Sequence, residues 1–343
     1  MLTFDEKIRA LTALPGVSGR EEAVRDFIQK EIGGCGRCTV DALGNLIVEK
    51  EGRLPAPARL MVTAHMDEVG FLLTHIEESG LLRFAAVGGV SPEVAAGKRV
   101  FVGEKGLPGL IGLKAVHQQK AAERTAPPEL DSLYIDIGAR SREEAEAAVA
   151  LGDRVSFAQN YAPMGTDLLR ARALDNRVGC AILMELLEGE RRYGFTAVFT
   201  VQEETGCQGA KAAAGRIRPD AALILETTTA SDLPGNDGAE AVCRLGRGPV
   251  VSYMDRGTVY PLDPARRLAG LGEKLGLATQ MKSRVAGGNE ARVVQTAAAG
   301  AVVMGLSVPC RYLHSQAVVM SRRDAAAALR LAAAAVDRLE ELL

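Results

Sequence analysis

Apolar residues change their spacing twice along the chain. Near the start, Ile8, Leu11 and Leu14 recur at helical intervals until Pro15-Gly16 interrupts them, and Val24, Phe27 and Ile28 resume the period. Between the two runs stands Ser18-Gly19-Arg20-Glu21, which has capping-box spacing and predicts the start of a second helix. Thr39–Glu49 alternates about a turn at Leu43-Gly44-Asn45 and predicts a hairpin, and Arg59–His65 reads as a buried strand. From Phe71 to Pro163 the texture is different. Short strand-like pieces separated by Gly-rich turns (Phe71–Ile76, Leu81–Val87, Arg99–Val102, Leu110–Leu113, Ser132–Ile137, Arg154–Phe157) predict a small all-β module with one helix at Ser141–Ala150.

From Asp175 onward helix and strand alternate. Helix Asn176–Glu190 precedes strand Phe195–Val201, Ala210–Ala214 precedes Ala221–Glu226, Pro264–Lys274 precedes Ala278–Lys282, and Glu290–Ala299 precedes Ala301–Leu306. An Ala-rich helix, Arg322–Leu343, closes the chain. Such alternation implies the α/β class, with a mostly parallel mixed sheet flanked by helices. The expected organisation is one domain from residues 1–70 and 165–343, with residues 71–164 inserted as a β-barrel-like domain.

Composition narrows the function. With 41 Lys+Arg against 43 Asp+Glu the net charge is −2, so no basic excess favours nucleic acid or an anionic membrane. Aromatic residues are 4% with no Trp, which argues against a stacking platform for single strands or sugars. The longest near-apolar run, Ala297–Cys310, is broken by Ser307 and Pro309 and is too short for a span of about 20 residues. Asp5, Glu6 and Lys7 interrupt any export-signal core, and six scattered cysteines suit reduced thiols, so a cytoplasmic location is expected.

The chemistry collects where apolar strands end. RLMVTA runs into His65 and then Asp67, FTAVFTVQ into Glu203-Glu204, AALIL into Glu226, and AVVMGLSVPCRYL into His314; Asp175 stands at a helix start. Open α/β sheets bind ligands outside the carboxyl ends of their strands. Two imidazoles and several carboxylates on one rim form a ligand set for zinc, cobalt or manganese. His65 and Asp67 share a strand face, so Asp67 can accept the second imidazole N–H. Adjacent Glu203 and Glu204 can serve one cluster only if the strand has already turned, which Gly206 permits. One would bind metal and the other remain free as a base.

Plainer readings compete. A strand-end Glu is commonly a solvated charge, and Asp175 could cap its helix, a role that can coexist with metal binding. His75 and His117 fit structural or surface roles. Cys35-Gly36-Arg37-Cys38 has no second pair to complete a zinc site, and Gly103, Gly106, Gly109 and Gly112 read as turn punctuation.

The phrases PGVSGREEAVRDFI, DALGNLIV, TAHMDEVGF, SLYIDIGARSREEA, LDNRVGCA, VQEETGCQGA, ASDLPG and CRYLHS occur in this order along nearly the whole chain. In them the chain resembles the M42 family of metallo-aminopeptidases, of glutamyl and deblocking aminopeptidase type. The resemblance implies two divalent ions per chain, zinc or cobalt first and manganese next. His65 and His314 would bind them, Asp175 would bridge them, and Glu204 and Glu226 would complete the ligands. Glu203 would be the general base, acting on a metal-activated bridging water, and Asp67 would orient His65. The implied substrates are peptides with a free N-terminus. The implied assembly is a hollow tetrahedral dodecamer built, through dimers, with the help of the β module.

Two departures stand out: Glu226 replaces the more usual Asp, and Gly287-Gly288-Asn289-Glu290-Ala291 replaces Gly-Gly-Thr-Asp-Ala. Alternatives are a metal-dependent N-acyl amidohydrolase or deacylase, an endoglucanase-type glycoside hydrolase, and a non-catalytic assembly protein. The absence of Trp and the two metal-type histidines weigh against the glycosidase.

Overall fold

The computed structural model describes residues 2–236 and 241–343. Four parallel strands form the centre of the main sheet, in the order Phe195–Thr200, Leu60–His65, Ala221–Thr229, Val302–Arg311. Each is a β-branched or aliphatic run buried on both faces, as parallel strands covered by helices require. Successive side chains divide between two cores. Leu60, Val62 and Ala64 join the larger cluster, while Met61 joins the cluster on the opposite face. In the neighbouring strand, Ala221, Leu223 and Leu225 likewise face away from Ala222 and Ile224.

Among the strands of the described residues, parallel pairing joins these four and the side pair Val250–Ser252 with Gln280–Met281. Leu46–Lys50 and Arg37–Val40 extend one flank antiparallel, as the hairpin pattern predicts. Val318–Ser321, Leu168–Ala171 and Ala162–Met164 extend the other flank antiparallel. These three short strands, and Val250–Ser252, carry no sequence pattern strong enough to predict them; pairing with neighbours makes them.

The insertion is a closed antiparallel barrel. Gly70–Ile76, Leu82–Val87, Tyr134–Asp136, Leu107–Gly112, Arg99–Val102 and Arg154–Phe157 follow one another around it. Its core is separate from that of the α/β body and centres on Phe71, which meets Phe84 and Phe157 edge-on at centroid distances of 4.8 and 5.4 Å. The helix expected at Ser141–Ala150 is shorter, Arg142–Glu146. The helix expected at Glu290–Ala299 shrinks to Ala291–Val294.

The capping box expected at Ser18 and Glu21 does not form. The helix Glu22–Glu31 has no side-chain cap. Instead the Ser18 hydroxyl donates to Asp67 Oδ2 at 2.6 Å, and Glu21 Oε1 accepts from the Gly19 and Gln202 N–H groups. A buried carboxylate, which needs donors to offset its lost hydration, competes for the hydroxyl more strongly than an exposed helix end does. A capping box does form one helix earlier, between Thr3 and Glu6 at the start of Phe4–Ala13.

Candidate metal centre

The parallel strands share a register that aligns their carboxyl ends. Thr200 pairs with His65, and Ile224 with Thr63, so Glu226 lies level with His65 one strand away. Beyond Thr200 the chain turns through Gln202 at φ 55° and Gly206 at φ 117°, and this turn brings both Glu203 and Glu204 toward His65. Asp175 lies in the first turn of Leu174–Glu188, where it and Asn176 depart from helical angles. Asn176 donates to the Leu225 carbonyl at 2.7 Å, tying this turn to the residue before Glu226. Asp175 does not cap its helix.

Three groups of candidate ligand atoms result: His65 with Asp175 and Glu226, Asp175 with Glu204 and His314, and His65 with Glu203 and Glu204. Asp175 belongs to the first two, with Oδ1 at 3.5 Å from His65 Nε2 and Oδ2 at 3.5 Å from His314 Nε2. Glu226 Oε2 is 3.7 Å from His65 Nε2, and Glu204 Oε1 is 3.5 Å from His314 Nε2. All the residues expected from sequence at this site therefore converge, Glu226 included. Glu290 does not line the cavity; it is fully buried beneath it, and burial pushes its carboxyl up to about 7.

The outward ring nitrogens are held by the chain. His65 Nδ1 lies 3.2 Å from the Asp67 carbonyl and 3.4 Å from Asp67 Oδ1. His314 Nδ1 lies 2.9 Å from the Gly89 carbonyl, a group supplied by the barrel insertion. Asp67 does more than the sequence suggests: its carboxylate also accepts the N–H groups of Glu203 and Glu204 at 3.0 and 3.1 Å. Behind it, Glu68 takes Arg172 at 2.7 Å and Arg177 at 3.5 Å, all three buried. These arginines flank Asp175 in sequence, so the knot fastens the His65 loop to the Asp175 turn.

Electrostatics reflect crowding. Burial and the neighbouring Asp175 raise Glu204 to about 8, and burial and nearby carboxylates raise Glu226 and Glu203. Burial opposes a charged His65, yet Glu226, Asp175 and Asp67 outweigh it and raise its pKa. The hydrogen bond that the His314 ring donates to Asp175 raises His314 to about 9. Asp175 is buried, yet His314 and His65 hold it well below the usual carboxylate range. Four carboxylates against two imidazoles in a desolvated pocket leave a negative excess that divalent cations relieve. Glu226 Oε1 is buried with no hydrogen-bond partner, an acceptor suited to a cation. The donor set of imidazole nitrogens and carboxylate oxygens fits a borderline divalent metal.

The centre forms one wall of a cavity of about 430 Å³, whose far side includes Thr227, Asp255, Lys282, Asn289 and Ser307. Asn289 belongs to the departing segment Gly287–Ala291, whereas Thr227, Asp255 and Lys282 carry no sequence signal of a site. A larger cavity, about 910 Å³, opens at the amino ends of the strands beside Arg37, Glu49, Arg59 and Asp220 and has no imidazole. Among the described residues, no helix is long and apolar enough to cross a membrane.

The chain is 32% identical to the lysyl aminopeptidase of Pyrococcus furiosus over 98% of both chains. An aminopeptidase from the archaeon Desulfurococcus kamchatkensis superposes with a TM-score of 0.93 at 33% identity, covering 99% of this chain and 96% of that one. The TET1 peptidase of Pyrococcus horikoshii, described as assembling into a tetrahedron or a large octahedral shell, superposes with a TM-score of 0.86 at 34% identity, covering 98% and 100%. The M42 glutamyl aminopeptidase family profile matches residues 44–331, and with the dinuclear arrangement around Asp175 this makes the chain a member of the M42 family, a metal-dependent aminopeptidase.

Proposed function

We propose that the chain removes N-terminal residues from peptides bearing a free amine, using two divalent ions held by His65, Asp175, Glu204, Glu226 and His314. The observation that carries this reading is Asp175, whose two oxygens lie toward two different imidazoles. When bound, such a pair supplies Lewis acidity that polarises the scissile carbonyl and acidifies water. Glu203 is the general base. The Cys207 thiol donates to its Oε1 at 3.2 Å, which fixes the carboxylate and leaves its other oxygen for the water proton. That proton then passes to the departing amine. Asp67 orients His65 and holds the glutamate turn.

Zinc or cobalt suits the mixed nitrogen and oxygen set, with manganese next. Residues 1–70 and 165–343 act as the catalytic domain, and residues 71–164 as an assembly domain building a dodecamer through dimers. The assembly reading draws on the shells described for the Pyrococcus horikoshii protein. The six free cysteines suit a reducing cytoplasm.

The test is a panel of unblocked and N-acetylated aminoacyl anilides, assayed with zinc, cobalt and manganese in turn. Cleavage of unblocked anilides alone supports the reading. Cleavage of blocked ones in preference favours an N-acyl amidohydrolase.

A further inference from the structure

The strand that leads to the glutamate pair pairs last at Thr200, and side chains from elsewhere then take over its amides. Four consecutive backbone N–H groups donate to side-chain oxygens of distant segments. Val201 donates to Asn45 Oδ1 at 3.0 Å and Gln202 to Glu21 Oε1 at 3.0 Å. Glu203 and Glu204 donate to the two oxygens of Asp67 at 3.0 and 3.1 Å. The three acceptor residues, Asn45, Glu21 and Asp67, are all buried. Asp67 has a place in the chemistry above, and Glu21 has none.

Gln202 is where the chain leaves the strand. Its φ of 55° is left-handed, a conformation that a residue with a Cβ keeps only where its surroundings hold it. Its carbonyl accepts from Gln208 N–H at 3.2 Å across the turn, and its N–H is held by Glu21. The same Glu21 oxygen accepts from Gly19 N–H at 2.8 Å, so one carboxylate ties the Ser18–Glu21 loop to the glutamate turn. Burying a carboxylate is costly unless donors meet it. Glu21 opens the helix Glu22–Glu31 without a side-chain bond to its first turn, so capping does not account for this acid. Its bond to Gln202 does, because a charged acceptor holds an amide more firmly than a neutral one.

We infer that Glu21 is a positioning residue for catalysis: by accepting the Gln202 amide it fixes the turn that aims the Glu203 carboxylate into the cavity. This rests on the reading of Glu203 as general base. Without the acceptor, Gln202 relaxes out of its left-handed conformation, and rotation there swings Glu203, the next residue, off its aim. Asp67 still holds the Glu203 and Glu204 amides, so the metal ligands stay assembled while the base is displaced. Catalysis is sensitive to such displacement, since a shift of about 1 Å can cost about 10²-fold.

The test measures kcat, KM and bound metal for Glu21→Leu and Glu21→Gln, on the unblocked aminoacyl anilide that the native enzyme cleaves best. Glu21→Leu, similar in size but without an acceptor, lowers kcat by about 10- to 100-fold with KM and metal content near native. Glu21→Gln keeps an acceptor oxygen and recovers kcat to within about threefold of native. A cycle with Glu203→Gln reads the group through which Glu21 acts. Added to Glu203→Gln, Glu21→Leu costs little further turnover, whereas a merely structural role lowers it again by the same factor. Native kcat in Glu21→Leu, an equal fall in Glu21→Gln, a fall that follows loss of metal, or additive losses in the cycle overturns the inference. Native turnover in Glu203→Gln alone overturns the general-base reading and this inference with it; if only the Glu21 results fail, that reading stands. Should Glu21→Leu fail to fold, Glu21→Asp takes its place. It keeps the charge but is one methylene short of the Gln202 amide, so kcat falls with KM and metal content near native, and native kcat overturns the inference.

Discussion

The carbonyl of Gly89 and Nδ1 of His314 lie 2.9 Å apart, across the junction between barrel and α/β body. A proton on Nδ1 donated to this carbonyl leaves the Nε2 lone pair directed toward Asp175 and Glu204. His65 repeats the device with the Asp67 carbonyl at 3.2 Å. A Cβ at position 89 would come within 3.3 Å of His314 Nδ1. Gly89→Val therefore tilts the ring and weakens metal binding by about 10- to 100-fold. Competition with a chelator measures this, and unchanged affinity would break the link between barrel and centre.

Glu203→Gln keeps the shape of the side chain and removes its basicity. Metal content stays at the native level while kcat falls by about 10²- to 10⁴-fold. Elemental analysis alongside anilide kinetics reads both quantities, and undiminished turnover would remove Glu203 from the mechanism.

Glu226 sits with His65 and Asp175, away from His314. Glu226→Ala lowers the occupancy of the ion on the His65 side and spares the one on the His314 side. Metal-to-protein ratios after dialysis report this directly. A full complement in the variant would argue that Glu226 is a bystander.

The metal-free protein carries a pH signature. Glu204, ordinarily at 4.5, is raised to about 8 by burial and Asp175, while His314, ordinarily at 6.5, is raised to about 9 by the Asp175 bond. Both bind protons more tightly folded than unfolded. The Glu204 contribution is complete below about 4.5 and vanishes as pH climbs through about 8. That of His314 is complete below about 6.5 and vanishes through about 9. Metal-free Tm consequently falls between about pH 6.5 and 9, and loading the metal near neutrality releases protons. Thermal melts across this range check the first statement, and calorimetry in buffers of different ionisation enthalpy checks the second. A metal-free Tm that rises over the interval contradicts both assignments.

Arg172 and Glu68 are an ion pair with side chains 2% and 3% exposed. Arg172→Ala leaves Glu68 with Arg177 alone at 3.5 Å and costs about 3–5 kcal/mol, as breaking a buried pair does. Urea denaturation of the metal-free protein gives the value, and a loss below about 1 kcal/mol would mean that the knot is dispensable.

Much of this was legible in the chain because strand endings are conspicuous. Four apolar strands and a helix start deliver His65, Glu203-Glu204, Glu226, His314 and Asp175; the parallel register sets Glu226 level with His65, and turns bring in the rest. Ser18 was misleading because a local rule matched while a distant carboxylate, Asp67, held the stronger claim on its hydroxyl. Gly89 left only a Gly-Gly pair as a trace, since no side-chain pattern marks a carbonyl as an imidazole's acceptor. Lys282 closes the strand expected at Ala278–Lys282, of which only Gln280–Met281 forms, and its neighbours on the cavity wall come from distant parts of the chain, so no local pattern marks it.

Ala173, Gln202, Cys207, Tyr312 and His314 all hold left-handed backbone, unusual for residues with a Cβ, and each adjoins or belongs to the centre. Such conformations cost of order 1–3 kcal/mol each and persist only where surrounding packing over-determines them. Packing around the socket therefore carries that cost, so removal of cations is expected to leave its backbone in place, with refilling asking for diffusion of an ion and departure of protons rather than a second folding event.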